Sequence, residues 1–80
     1  MPDRISPAQV SAARAMLDWS MLDLAQAAGL SVSTVKRFEG EGQQPVSDEA
    51  IAMMQDALET DRVRFLPDDG NGPGVRCRRR

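Results

Sequence analysis

Four serines of this 80-residue chain stand in one repeated local setting. Each is preceded directly by a large apolar residue, and a second apolar residue follows four positions later. The pairs are Ile5/Val10 around Ser6, Trp19/Leu24 around Ser20, Leu30/Val35 around Ser31 and Val46/Ile51 around Ser47. A serine hydroxyl accepts one of the orphan N–H groups at a helix start, and an apolar pair in this register staples the entering chain to the first turn. Ser6 adds Pro7 at the first helical position and Gln9 at the third, a capping-box pattern, and Ser20 has Asp23 in the corresponding place. Asp48 and Glu49 follow Ser47, where negative charge suits the positive end of a helix. Four such starts commit a short chain to several short helices.

The apolar spacing agrees with those starts. Val10, Ala13 and Leu17, then Leu24, Ala25 and Ala28, then Val35 and Phe38, then Ala50, Ile51, Met54, Ala57 and Leu58 recur at three- and four-residue steps. The spacing predicts helices over 7–18, 21–28, 32–39 and 48–59. Gly29 is placed to end the second helix in a left-handed conformation. Gly40 and Gly42 are placed to do the same after the third, with Pro45 closing that loop. Beyond residue 60 the period changes to alternation. Val63-Arg64-Phe65-Leu66 and Val75-Arg76-Cys77-Arg78 flank a Pro/Asp/Gly-rich loop, a hairpin pattern. A two-stranded hairpin is marginal alone in water, so it is expected to pack on the helices or pair with a second copy. The fold class expected is all-α. It consists of a compact four-helix domain over 1–60 and a short C-terminal β-hairpin or strand tail over 61–80.

What the chain lacks narrows its chemistry. It contains no histidine and one cysteine, Cys77, so an internal disulfide, the usual zinc ligand sets and the commonest general base are all missing. No enzyme activity, no cofactor and no metal are expected. No apolar run approaches the roughly 18 residues a membrane helix requires, and no secretory signal follows Met1, so a cytoplasmic location without membrane contact is the expectation. Charge is divided along the chain. Residues 1–60 carry four basic and nine acidic groups, a balance of −5, whereas residues 61–80 carry six basic and three acidic groups, a balance of +3. Two of the four basic residues of the first part, Lys36 and Arg37, are adjacent on the third helix. Arg14 falls among Val10, Ala13 and Leu17 on the apolar side of the first helix, so its charge requires a partner.

Helices two and three are joined only by Gly29-Leu30-Ser31, and Ala25 and Ala28 are small enough to let the helices approach closely. That is helix-turn-helix geometry. Trp19-Ser20, Leu24-Ala25, Ala28-Gly29, Ser31, Thr34-Val35, Phe38-Glu39 and Pro45 together resemble the Cro/C1-type phage repressors of the XRE family of transcriptional regulators, over roughly residues 8–60. The resemblance implies a homodimer that binds double-stranded DNA, with the third helix in the major groove. By it, Val32, Ser33, Thr34 and Arg37 occupy base-reading positions, with Arg37 suited to guanine. Lys36, Ser20, the N–H of Met21, Gln43 and Gln44 occupy phosphate-contacting positions. Arg14 and Glu39 occupy the positions of a structural ion pair. The chain departs from the family at Met21, where relatives place glutamine, and in a loop after helix three that is not basic. These departures, with the exposed pair expected at Met21-Leu22, keep a second reading open: a protein-binding module or antitoxin on the same fold. The plainer readings stand beside the functional ones. The serines are caps first, Val35, Phe38, Trp19 and Met54 are core, and the terminal arginines are a frayed end or a phosphate-binding arm.

Overall fold

The computed structural model describes residues 5–40 and 46–78. It contains helices α1 (Pro7–Leu17), α2 (Met21–Ala28), α3 (Val32–Glu39) and α4 (Asp48–Asp61), followed by strands β1 (Val63–Leu66) and β2 (Gly74–Cys77). The molecule is mostly helical, with one two-stranded antiparallel sheet.

All four helices start at the serines. Ser6, Ser20, Ser31 and Ser47 each accept the N–H three residues on, from Gln9, Asp23, Thr34 and Ala50 respectively, at 3.0–3.2 Å. Both capping boxes close, with Gln9 and Asp23 accepting the N–H of their own cap serines at 2.8 Å. The staple residues of the first turns are among the most buried in the molecule: Val10, Leu24 and Val35 have no solvent exposure, and Ile51 is buried. Their partners Ile5, Trp19, Leu30 and Val46 pack on the same core.

The helix ends differ in part from expectation. α1 stops at Leu17 rather than at residue 18, because Asp18 turns left-handed, at φ 61°. Its N–H and that of Trp19 bond back to Ala15 O and Arg14 O at 3.1 and 2.9 Å. α2 ends by the same device. Gly29 is left-handed, its N–H reaches Gln26 O at 3.3 Å, and Leu30 N–H reaches Ala25 O at 2.9 Å. The two connections are therefore copies of one another: a left-handed residue, a large apolar residue and a serine cap. The apolar residue both closes one helix and staples the next. Gly40, by contrast, is not left-handed; its φ is −89°. A Cβ there would lie 2.8 Å from Lys36 O, so close approach to the last turn of α3 is what restricts the position. Gly42 and Pro45 lie outside the described residues. α4 continues past residue 59 to Asp61, and Arg62 then leads into β1, which lowers Val63 into the core.

The core is a single cluster that runs from Ile5, Val10, Ala13 and Leu17 through Leu24, Ala25, Ala28, Val35 and Phe38 to Ile51, Met54, Leu58 and Val63. The hairpin belongs to it, because Phe65, Val75 and Cys77 pack against the cluster beside Val63. Its register pairs Val63 with Cys77, Arg64 with Arg76, Phe65 with Val75 and Leu66 with Gly74. Gln9, the one buried polar residue among those described, fastens the hairpin to α1. Its amide nitrogen donates to Gly74 O at 2.7 Å and, more weakly, to Leu66 O at 3.5 Å. At the hairpin turn Asp68 Oδ1 accepts the N–H groups of Gly70 and Gly72, both at positive φ. Among the described residues no helix is long and apolar enough to cross a membrane.

Candidate nucleic-acid interface

α3 buries little of itself. Of its eight residues only Val35 and Phe38, three apart, are buried, and they hold it against the core. Val32, Ser33, Lys36 and Arg37 fall on the opposite side at i, i+1, i+4 and i+5, and all four are exposed. This side presents one apolar contact, one hydroxyl and two cations. The short link through Gly29 and Leu30 sets its angle against α2, and the small, buried Ala25 and Ala28 line the approach.

The C-terminal end of α3 is clamped. Arg14 Nε donates to Glu39 Oε2 and Arg14 Nη2 donates to Glu39 Oε1, both at 2.8 Å, a two-bond fork across 25 residues of sequence. Arg14 Nη1 donates to Trp19 O at 2.9 Å. One guanidinium thus joins α1, the α1–α2 connection and α3. The Arg14 and Glu39 side chains are 16% and 5% exposed. Hydrogen bonding to Glu39 raises the pKa of Arg14; burial opposes the rise and the carboxylate's charge adds to it. Glu39 closes a helix whose C-terminal dipole disfavours negative charge, so the arginine also offsets that cost.

The two helix N-termini that face outward at the turn differ in electrostatics. At α3 the Ser31 hydroxyl serves Thr34 N–H and lies 3.0 Å from the Thr34 hydroxyl. The N–H groups of Val32 and Ser33 have no intrahelical partners, and no acidic residue in the first turn offsets their partial positive charge. At α2 the Asp23 carboxylate already occupies the Ser20 N–H, so negative charge sits where an anion would approach. Of the positions expected to contact bases, Val32, Ser33 and Arg37 are exposed, whereas Thr34 is half-buried and bonded to Ser31. Of those expected to contact phosphate, Lys36 and Ser20 are exposed, and Met21 is half-buried with its side chain on the core. Gln43 and Gln44 lie outside the described residues. Leu22, beside Met21, is 52% exposed.

Two features of this region had weak sequence signals. The occupation of Ser20 N–H by Asp23 is written in the Ser20-x-x-Asp23 spacing, but its electrostatic meaning depends on the helix facing solvent. The role of Trp19 O as a guanidinium acceptor has no signal in residue type, because it is a backbone atom. Among the described residues there is no group of three or more His, Cys, Asp or Glu side chains able to hold a metal ion. No protein-family model and no curated protein matches the chain.

Proposed function

We propose that the four helices form a Cro/C1-repressor-like helix-turn-helix and that the protein is a sequence-specific double-stranded-DNA-binding transcriptional regulator, a repressor that occludes a promoter. The observation that carries this reading is the face of α3. Val32, Ser33, Lys36 and Arg37 are exposed together on a helix whose other side is fixed to the core and whose end is held by Arg14 and Glu39. In the major groove Arg37 would grip a guanine through two bonds, Val32 would meet a thymine methyl, Ser33 would bond a base edge, and Lys36 would meet phosphate. The free N–H groups opening α3 supply a further anion contact. So short a reading face contacts few base pairs, so useful specificity calls for two copies on a two-fold-related site.

One observation favours a second reading. Leu22 is exposed beside the Asp23 carboxylate, where the family pattern has a phosphate contact. This surface suits a protein partner, as in a binding module or an antitoxin that retains weak DNA binding.

Selection of bound sequences from a random duplex pool at moderate salt tests the proposal, with wild type and Arg37→Ala run side by side. The expected result is an enriched inverted repeat, with the variant weakened by about 1–3 kcal/mol and one base position relaxed. Absence of enrichment from folded wild type would overturn the reading in favour of the protein-binding one.

A further inference from the structure

The hairpin places like charges face to face. Its register sets Arg64 directly opposite Arg76, and both are exposed. The ladder continues one step beyond the strands, where Arg78 N–H donates to Arg62 O at 2.9 Å, so Arg78 follows Arg76 on the outward side. The inward side of the same ribbon is apolar: Val63, Phe65, Val75 and Cys77 pack on the core. Like charges directly opposite on a two-stranded ladder destabilise it. Among the described residues, Arg64, Arg76 and Arg78 have no acidic partner; the ion pairs formed are Arg14 with Glu39 and Arg62 with Asp61. Asp68 Oδ1 and Asp69 Oδ1, at the hairpin turn, are engaged by backbone N–H groups.

We infer that the outward face of the hairpin, carried by Arg64, Arg76 and Arg78, is a second phosphate-binding surface for the nucleic-acid backbone, separate from the face of α3. The inference rests on the reading that the chain binds duplex DNA. Three observations point to phosphate. The face gathers three exposed guanidinium groups without acidic partners, a local positive charge that a polyanionic backbone complements. Every basic residue of positions 61–80 is arginine, the side chain whose fork matches phosphate oxygens. The two surfaces are also mounted on one support. Gln9, near the start of α1, holds the hairpin, and Arg14, near its end, holds α3. A rigid helix of 11 residues, about 16 Å long, thus carries both. The α3 face reads sequence, and the ribbon adds affinity without reading bases.

The test measures binding of a random-sequence duplex against salt for wild type, Arg64→Gln/Arg76→Gln and Arg37→Ala. Thermal melting of each variant reports folding, and relief of the opposed charges raises the midpoint of the double variant. The expected result is that the double variant has a slope of log affinity against log salt shallower by about 1.8. Wild type then loses about tenfold more affinity than the variant between about 50 and 200 mM salt. The double variant keeps the sequence preference of wild type, and Arg37→Ala alters it. An unchanged slope in a folded double variant that still selects its site would overturn the inference and leave the DNA reading intact. The same holds if the double substitution changes only self-association, measured by sedimentation, which would assign the face to the acidic surface of another copy. Failure of folded wild type to bind any duplex overturns both.

Discussion

Arg14 is the residue on which most of the arrangement depends. Its guanidinium makes three hydrogen bonds to two structural neighbours, and its carboxylate partner is almost wholly enclosed. Arg14→Ala would leave Glu39 charged, buried and at the wrong end of a helix dipole. The expected loss is about 3 kcal/mol in urea unfolding. The double substitution Arg14→Met/Glu39→Leu, which removes both charges and keeps the volume, is expected to lose less than Arg14→Ala alone. Such a result would show that the single loss reflects the stranded carboxylate. Part of this pair was legible in the sequence, since an arginine among Val10, Ala13 and Leu17 declares that it has a partner. That the partner is Glu39 followed only from a family resemblance, because nothing local relates residues 25 positions apart. Gln9 was half legible for the same reason. Its capping role is written three residues from Ser6, whereas its bond to Gly74 depends on a hairpin 65 residues away.

At the scale of the element, helix starts were far more legible than helix ends. A start is a local contract between a hydroxyl, the N–H three residues on and a stapling pair, all within six residues. The ends of α1 and α2 depend on which residue accepts a left-handed backbone, and side-chain identity only biases that choice. Gly29 follows the bias and Asp18 does not, although the two connections have the same hydrogen bonds. The contrast yields opposite predictions for equivalent positions. Asp18→Gly removes a Cβ from a left-handed residue and is expected to raise stability by about 0.5–1 kcal/mol. Gly29→Ala is expected to lower it by about 1–2 kcal/mol, although its Cβ would meet only Met53 Cε at an ordinary 3.9 Å. Chemical denaturation of the two variants checks both signs. Gly40 shows why glycine alone does not announce its reason: the constraint there is the Lys36 carbonyl, visible only once α3 is built.

For the molecule as a whole, the hairpin completes the core that the helices share. Positions 61–80 have a separate pattern and a separate charge balance, which in sequence marks them off from the helical part. In the fold the two strands share its core, with Val63 buried and Phe65, Val75 and Cys77 laid against it. A chain ending at residue 61 would uncover part of α1 and α4 and leave Gln9 without its carbonyl acceptors. The expected outcome is loss of cooperative thermal unfolding, with binding of a hydrophobic dye, whereas the full chain melts in one transition. The candidate DNA face was legible because α3 is short and its two buried residues leave little doubt about which side remains. The opposed arginines of the hairpin were not, since strand register depends on how the 67–73 loop closes, and a one-residue slip would have separated them.

The indole of Trp19 gives this architecture an optical consequence. It is the only tryptophan, and the chain has no tyrosine, so emission excited beyond the absorption of its two phenylalanines comes from a single ring. That ring is half-buried against the core, in the residue whose carbonyl is gripped by Arg14. Its colour therefore registers the state of the latch between α1 and α3. An emission that shifts to the red in Arg14→Ala while the far-ultraviolet helical signal persists would mark release of that latch before the helices themselves melt. The same unlabelled protein, titrated with duplex, would report whether engagement of α3 tightens the latch or leaves it at rest.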